Sequence, residues 1–490
     1  MLSFENTYAR LPAHFYARVS PTPVPEPRLV HLNGPLAREL GIDPATLATP
    51  DGVAILGGNR IPDGAEPLAM AYAGFQFGHW VPQLGDGRAI LLGEVIGRDG
   101  VRRDVQLKGA GPTPFSRGGD GRAGLGPVLR EYVVSEAMFR LGVPTTRALA
   151  AVTTGALVAR DTLLPGAVLV RVAQSHLRVG TFQFFAGRND RDALRTLADY
   201  ALARHDPDAV DQDHPYVAFF RGVVERQATL MAHWQRLGFI HGVMNTDNTS
   251  IAGETIDYGP CAFMDAYHPD TVFSSIDRMG RYAFGRQPSV AHWNLQSLAR
   301  AVLPLLADED TEAVARANEV LEGFVPRFET TYLSGMRQKL GLTEVRDDDA
   351  SLADALLQQM AASGADFTLT FRELSDALDD TPIAAAPVRR RFADHAAFDA
   401  WVARWRRRLA AEPGSTDARR ERMRLANPLY IPRNHLVAEV IAAATMEGDF
   451  GPFETLVDVL SRPHDEQPGR ERYARAPKPD QVVRQTFCGT

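Results

Sequence analysis

The architecture is most clearly indicated by the segment Val105-Gln106-Leu107-Lys108-Gly109-Ala110-Gly111. Its first four residues alternate apolar and polar side chains, which predicts a strand that ends in a lysine. Residues 109–126 contain seven glycines, too many for a helix. Pro127 then opens a predicted helix over 128–141, and Gly142 is its expected C-terminal stop. The segment therefore predicts a strand, a glycine-rich loop and a helix in succession.

The flanking regions extend this mixed pattern. Within 85–94 a glycine turn precedes the apolar run Ile90-Leu91-Leu92, which predicts a second strand. The first sixty residues carry a proline cluster and are expected to be irregular. Apolar residues recur at helical spacing over 217–237, which predicts a long helix. Two isoleucines flank Gly253-Glu254, which predicts a tight hairpin.

The last third of the chain alternates apolar and charged residues without strand signals. An apolar stripe from Phe398 to Leu409 predicts a helix, and the arginines beside it are interpreted as its solvated face. We therefore expect an α+β fold with a mixed front half and a mostly helical C-terminal region.

Composition limits the classes of protein. The 490 residues correspond to about three domain-sized units. Lys plus Arg total 53 against 60 for Asp plus Glu, a net charge of −7, which argues against a nucleic-acid partner. The two cysteines, Cys261 and Cys488, exclude a disulfide framework and a cysteine-based zinc cluster.

The sequence predicts neither a signal peptide nor a membrane-spanning helix. The N-terminus lacks the basic and apolar run of a signal peptide, and no apolar stretch is as long as a membrane helix. We expect a cytoplasmic protein without a membrane partner, and a monomer.

Oxygen ligands for a divalent cation occur at the two ends of the predicted hairpin. Paired strands lie about 4.8 Å apart, so Asn248 and Asp257 would present an amide oxygen and a carboxylate side by side. Magnesium takes such hard ligands when it also holds substrate phosphates. Asp247 adds a neighbouring carboxylate. An isolated Asp-Asn pair is more often a simple turn, so the surrounding residues decide the assignment.

Those surroundings follow the order of a protein kinase. A kinase has a glycine turn, a strand lysine and a helix glutamate, followed by a loop asparagine and an Asp-aromatic-Gly sequence. Lys108 corresponds to the lysine, and Asp257 begins Asp257-Tyr258-Gly259. For the glutamate, periodicity leaves both Glu131 and Glu136 as candidates.

One departure from the kinase pattern concerns the catalytic base. In a kinase the base Asp stands five residues before the loop Asn, and here that position is Val243. Valine cannot accept a proton, which disfavours ordinary phosphoryl transfer. Asp247 is the nearby carboxylate that could take this role.

Four motifs, taken together, closely resemble the selenoprotein O family. They are Gly78-His79-Trp80-Val81-Pro82-Gln83-Leu84-Gly85-Asp86-Gly87-Arg88, the opening segment 105–111, Asn245-Thr246-Asp247-Asn248-Thr249-Ser250 and Asp257-Tyr258-Gly259-Pro260-Cys261-Ala262-Phe263-Met264-Asp265. The resemblance extends over nearly the whole chain. It implies a protein-kinase-like two-lobed fold that binds ATP in a flipped orientation. It also implies transfer of AMP to Ser, Thr or Tyr hydroxyls of other proteins, with UTP as a further candidate donor.

The resemblance implies roles for individual residues. Lys108 would hold phosphates with Glu131 as its ion-pair partner. Arg171 and Arg178 would clamp the outer phosphates, which suits the planar guanidinium. Asp247 would be the proton acceptor. The other nucleotide contacts it implies are Gly85, Gly87, Arg88, Asp120, Gly121 and Asp257. The metal ligands it implies for Mg²⁺ or Mn²⁺ are Asn248 and Asp257.

The family pattern also suggests how the chain is organised and regulated. The expected division is an N-terminal extension (1–60), an N-lobe (61–170), a C-lobe (171–330) and a helical C-terminal region (331–490). Cys261 and Cys488 match the family's two redox positions, which implies a reversible switch. Two alternatives to AMP transfer remain: a kinase that uses Asp247 as its base, and a catalytically inactive ATP-binding pseudokinase scaffold.

Overall fold

The structure is a computed structural model that describes residues 3–378, 382 and 386–487. Its strands, numbered in chain order, are β1 (Tyr16–Arg18), β2 (Arg28–Leu32), β3 (Leu68–Met70), β4 (Gly74–Gln76), β5 (His79–Val81), β6 (Ala89–Ile96), β7 (Arg102–Lys108), β8 (Ala123–Gly124), β9 (Arg147–Ala159), β10 (Leu163–Ala173), β11 (Phe239–Ile240) and β12 (Ala262–Phe263).

An antiparallel sheet of eight strands organises the front half of the chain. Its order is β1-β3-β6-β7-β10-β9-β2, and the short β8 pairs with β10. Lys108 ends β7 in register with Ala89 of β6 and Leu169 of β10. The lysine is therefore fixed by neighbours on both sides, and its position does not depend on a flexible loop.

The helices are numbered in the same way. They are α1 (Gly34–Glu39), α2 (Pro44–Leu47), α3 (Pro50–Leu56), α4 (Leu125–Arg140), α5 (Val179–Ala186), α6 (Arg191–His205), α7 (Pro215–Leu237), α8 (Gln287–Leu306), α9 (Asp310–Glu322), α10 (Phe324–Lys339), α11 (Asp349–Ser363), α12 (Phe367–Leu374), α13 (His395–Leu409), α14 (Thr416–Ala426), α15 (Asn434–Ala442) and α16 (Gly451–Leu460).

The elements predicted around Lys108 are confirmed. Strands β6 and β7 cover the two predicted strands, and α4 covers the predicted helix. Gly142 follows α4 with a φ of 74°, a left-handed conformation that favours glycine and ends the helix. The long helix and the apolar stripe of the last third are likewise present as α7 and α13.

Both faces of the sheet are covered by helices. Alternate residues of β10 point to opposite sides: Val168 and Val170 pack with residues of α1–α3, whereas Ala167 and Leu169 pack with α4. Helices α15 and α16, from the end of the chain, join the same cluster as α4. The C-terminal region therefore packs against α4, the helix that carries Glu131.

The prediction that the first sixty residues are irregular was wrong. Strand β1 pairs with β3, and β2 pairs with β9, so this segment supplies both edges of the main sheet. Each of these strands is only three to five residues long, too short for alternation to be recognised beside the proline cluster.

The tight hairpin predicted at 251–256 was also wrong. Ser250 forms a bridge with Arg178, and Thr255 forms one with Thr145, so two separate segments hold this part of the chain. The side chain of Glu254 is buried and accepts a hydrogen bond from the backbone of Gln174. A turn is present at 250–253, where the Gly253 N–H donates to the Ser250 carbonyl at 3.2 Å, but long-range bridges replace the strand pairing of a hairpin.

The back half is built from helices, as expected for the α+β class. Beyond β12, the described residues contain isolated bridges but no further strand. None of the helices in the described ranges combines the length and apolar character needed to cross a membrane.

Candidate active site

The residues singled out in the sequence converge on one cleft of about 740 Å³. The cleft lies between the sheet, the glycine-rich loop and the loops that follow α7. The sequence-predicted residues that line it are Gly85, Gly87, Arg88, Lys108, Asp120, Gly121, Arg171, Arg178, Asp247, Asn248 and Asp257. Glu131 contacts the cleft through Lys108.

Lys108 is held by two carboxylates. Its Nζ donates to Glu131 Oε2 at 2.5 Å and to Asp257 Oδ1 at 2.9 Å. Glu131 belongs to α4 and is buried. Glu136, one and a half turns further along α4, instead forms an ion pair with Arg147 at 2.8 Å. The ambiguity left by periodicity is therefore resolved by the direction in which each side chain points.

Two buried arginines complete the cluster. Arg171 of β10 donates to Asp257 Oδ1 at 2.6 Å and to Glu131 Oε1 at 3.2 Å. Arg178, which precedes α5, donates to Asp257 Oδ2 at 2.6 Å and stacks on the ring of Tyr72. Both guanidinium groups are almost completely buried, so their charges act at short range with little screening.

Asp257 is the common partner of all three cations. Burial would raise the pKa of its carboxyl, but the charges of Lys108, Arg171 and Arg178 lower that pKa well below its usual range. The residue has a φ of 61°, rare for a non-glycine residue. A backbone in an uncommon conformation thus presents to the cleft a carboxylate that the three cations keep in its charged form.

Two glycine turns, one at 85–88 and one within the glycine-rich loop 109–126, contact each other beside the cleft. A Cβ at Gly85 would overlap the ring of Phe115, and the hydroxyl of Ser116 donates to the carbonyl of Gly87. Gly121 has a φ of 63°. The two turns are therefore packed against each other, and residues of both line the cleft.

Asp120, between the turns and β10, is partnered by a residue that the sequence did not single out. Arg160 donates to its two carboxylate oxygens at 2.9 and 3.1 Å. This bond is the largest cause of a lowered pKa of Asp120. Arg160 follows β9 without a motif, so only the fold brings it to the cleft.

The loop of residues 243–248 supplies the remaining candidates. Asn248 Nδ2 donates to the carbonyl of Val243 at 3.0 Å, which leaves its side-chain oxygen for another partner. Asp247 accepts a hydrogen bond from Gln76 at Oδ2, whereas Oδ1 is buried and unpartnered in the part of the chain that the structure describes. Burial raises the pKa of Asp247 to about 6, although the Gln76 hydrogen bond and the charge of Arg178 oppose this.

These oxygens are compatible with a divalent cation. Among the described residues the amide oxygen of Asn248 has no hydrogen-bond partner, and Asp257, whose pKa lies well below its usual range, lines the same cleft. In the described residues no group of three or more His, Cys, Asp or Glu side chains is arranged for a metal. Mg²⁺ commonly combines a few protein oxygens with those of a bound phosphate.

Two buried residues behind the cluster were missed in the sequence. Gln106 of β7 accepts from Arg171 at 2.6 Å and donates to Asp86 at 3.2 Å. Burial raises the pKa of Asp86 to about 6, although Arg178 lowers it. Both lie inside motifs quoted above, and Gln106 is a polar residue on a buried strand. That combination was an available signal, because buried polar side chains require partners.

Cys261, which the resemblance suggests as a redox position, is fully buried shortly after the Asp257-Tyr258-Gly259 sequence. Cys488 lies outside the described residues. Two positions before it, the hydroxyl of Thr486 donates to the carbonyl of Pro260 at 2.5 Å. The end of the described chain is therefore attached next to Cys261.

The chemistry of the cleft suits a polyphosphate. Lys108, Arg171 and Arg178, the carboxylates of Asp247 and Asp257 and two glycine turns surround a space large enough for a nucleotide. These features define the class as a nucleotide-binding site with the means to stabilise negative charge on phosphate oxygens.

Comparison with known proteins gives the family. A family model described as "Protein adenylyltransferase SelO" matches residues 1–461. The chain therefore belongs to the SelO protein adenylyltransferase family, which confirms the resemblance to selenoprotein O.

Relatives match over their full length. The chain is 61% identical to a protein of Methylorubrum extorquens, over 100% of this chain and 99% of that protein. It is 62% identical to one of Rhodopseudomonas palustris and 61% identical to one of Bradyrhizobium diazoefficiens, each over 99% of both chains. All three relatives are named protein nucleotidyltransferase YdiU.

Proposed function

We propose that this protein transfers AMP from ATP to Ser, Thr or Tyr hydroxyls of target proteins and releases pyrophosphate. Family membership over the whole length supports an adenylyltransferase. The observation that carries the proposal is that a complete cation cluster lines the same cleft as Val243, a buried apolar residue at the kinase base position. A kinase would need a carboxylate where the valine stands.

The fold that we propose is protein-kinase-like with two lobes. Support comes from the strand lysine paired with a glutamate of the following helix, under a glycine turn. Asn248 and Asp257 occupy the loops where a kinase carries its metal ligands. The strands of the first sixty residues add two edges to the sheet of the N-lobe.

The nucleotide is proposed to bind in a flipped orientation. In this arrangement Lys108, Arg171 and Arg178 contact the β- and γ-phosphates, and Gly85, Gly87, Arg88, Asp120 and Gly121 line the rest of the nucleotide site. Transfer of AMP makes pyrophosphate the leaving group, so negative charge grows on its oxygens in the transition state. Buried cations at that point stabilise the developing charge more than they stabilise the ground state.

The acceptor hydroxyl is proposed to attack the α-phosphorus. A new bond forms between the hydroxyl oxygen and phosphorus, and the bond from phosphorus to the α,β-bridging oxygen breaks with its electron pair. Asp247 takes the hydroxyl proton. Its pKa of about 6 leaves the carboxylate mostly ionised at neutral pH, which a general base requires.

Asn248 and Asp257 are proposed to hold Mg²⁺ or Mn²⁺. When bound, such a cation neutralises phosphate charge and orients the leaving group. Asp257 also forms ion pairs with the side chains of Lys108, Arg171 and Arg178. It therefore connects the proposed metal site to the proposed phosphate-binding residues.

A redox switch between Cys261 and Cys488 is proposed from the family pattern. The hydrogen bond between Thr486 and Pro260 supports it. Thr486 lies two positions before Cys488 in the sequence, and Pro260 directly precedes Cys261. Use of UTP, a cytoplasmic location and a monomeric state stay predictions from the sequence.

Analysis of the products of ATP tests the proposed reaction. The protein is incubated with ATP, Mg²⁺ and an acceptor-protein mixture, and soluble products are separated by ion-exchange chromatography. AMP transfer releases pyrophosphate, whereas a kinase releases ADP. Formation of ADP in proportion to modified protein would refute the proposal, and intact ATP with normal ATP binding would favour the inactive scaffold.

A further inference from the structure

A short hairpin contacts the loop that carries Asp247. We call residues 74–81, which include β4 and β5, the clamp hairpin. The backbone N–H of Phe75 donates to Thr246 Oγ1 at 2.7 Å, and that of Phe77 donates to Asn245 Oδ1 at 3.0 Å. Between them, the side chain of Gln76 donates from Nε2 to Asp247 Oδ2 at 3.2 Å. Three consecutive residues of the hairpin thus bind three consecutive residues of the loop.

The other oxygen of Asp247 is restricted by Gly74. A Cβ at that glycine would lie 2.8 Å from Asp247 Oδ1 and 3.2 Å from Thr246 Oγ1. Oδ1 is buried and has no hydrogen-bond partner among the described residues. The carboxylate is therefore confined on one side by the glycine backbone and oriented on the other by the Gln76 amide.

The clamp hairpin is itself fixed by aromatic packing. The ring of Phe75 lies 5.1 Å from Trp80 and 5.3 Å from Trp293 of α8. Tyr282 lies 5.0 Å from Phe77 and donates its hydroxyl to Asn245 Oδ1 at 2.7 Å. This packing reduces the freedom of the Gln76 backbone, so its side chain can hold a carboxylate in one orientation.

We propose that Gln76 is a positioning residue that orients the Asp247 carboxylate toward the acceptor hydroxyl. This inference rests on the proposed role of Asp247. A glutamine suits the task because its amide donates a hydrogen bond without adding a charge. Gln76 and Asp247 both line the cleft. Arg178 donates to the backbone carbonyl of Asp247, but in the described residues the hydrogen bonds given for Lys108, Arg171 and Arg178 do not include the Gln76 side chain.

This role separates catalysis from ATP binding. Gln76→Leu keeps much of the side-chain volume but removes the donor. Misorientation of a catalytic group costs about tenfold to a hundredfold in rate, so kcat should fall by that factor. ATP affinity should stay within about twofold of wild type, because the contacts that bind the ground state and the transition state equally are not altered. Gln76→Glu, which also lacks the donor, should lose at least as much kcat.

The experiment measures AMP transfer, ATP affinity and thermal stability for each variant. His79→Gln is the matched control, since His79 lies on the same hairpin and is exposed; its kcat should stay within about twofold of wild type. A second readout repeats Gln76→Leu in an Asp247→Asn background. If Gln76 acts through Asp247, the second change should have little further effect.

Three outcomes would overturn the inference. They are wild-type kcat in both Gln76 variants, a parallel loss of ATP affinity and kcat, and the same fold-loss with and without Asp247. If one variant fails to fold, the other decides. Failure of the proposed function itself is distinguishable, because wild-type protein would then transfer no AMP.

Discussion

Replacement of Asp247 by Asn should strongly slow transfer while stabilising the fold. The substitution keeps the shape of the side chain beside Gly74 but removes the charge. Proton acceptors contribute about 10²- to 10⁴-fold to rate, so kcat should fall by that factor. The stability effect follows from the burial of the carboxylate, which is only 8% exposed.

The size of the stabilisation comes from the pKa of Asp247. Burial raises that pKa from its ordinary value of 3.8 to about 6. The folded protein therefore binds the proton more tightly than the unfolded chain does, and stability falls as the pH rises from about 4 to about 6. At about 1.4 kcal/mol for each tenfold change, ionisation costs up to about 3 kcal/mol above pH 6. The Asn variant does not have this cost.

Urea unfolding of wild type and Asp247→Asn, without nucleotide and with a chelator, measures the difference. At pH 8 the variant should be more stable by up to about 3 kcal/mol, and the advantage should shrink as the pH approaches 4. A variant that is less stable than wild type at pH 8, or an advantage independent of pH, would refute the reasoning. So would a variant that transfers AMP at the wild-type rate.

Three further substitutions test other parts of the site. Asp257→Ala removes the common partner of three cations and a proposed metal ligand, so AMP transfer should fall about 10²- to 10³-fold in a labelling assay. Glu131→Gln weakens two charged hydrogen bonds and should cost about 1.5–3 kcal/mol in urea unfolding, less when ATP is bound. Gly121→Ala forces a side chain into a positive φ and onto the carbonyl of Gly111, and should cost about 1–3 kcal/mol and weaken ATP binding.

Matched controls sharpen these tests. Glu136→Gln breaks an ion pair on the same helix, so it should lower stability without changing ATP affinity. Gly118→Ala also has a positive φ, but nothing among the described residues lies within 4 Å of the added Cβ, so it should cost less than Gly121→Ala. Equal effects of Glu131→Gln and Glu136→Gln, or of Gly121→Ala and Gly118→Ala, would contradict the assignments. Labelling at the wild-type level by Asp257→Ala with Mg²⁺ present would also contradict them.

Local patterns in the sequence were sufficient for the elements around the cleft. The alternation before Lys108 and the Pro127 and Gly142 signals gave β7 and α4 because each signal acts within one element. The choice between Glu131 and Glu136 needed the family resemblance, since periodicity does not tell which face of α4 meets the lysine.

Long-range contacts account for what the sequence did not reveal. Ser250 and Thr255 pair with Arg178 and Thr145, which lie far away in the chain, so the local turn signal did not indicate a hairpin. Gln76 contacts Asp247 across 171 positions. Arg160 reaches Asp120 only because β9 and β10 bring them together. Tertiary packing decides such contacts, and they produce no periodic pattern in the amino-acid sequence.

Parallel labelling with ATP that is radioactive at the α- or the γ-phosphate tests the central claim most directly. The protein and a cell lysate serve as acceptors, with Mg²⁺ present. We predict label on protein from the α-phosphate alone, which requires AMP transfer and agrees with a flipped nucleotide. Label on protein from the γ-phosphate alone would contradict the account and make the enzyme a kinase.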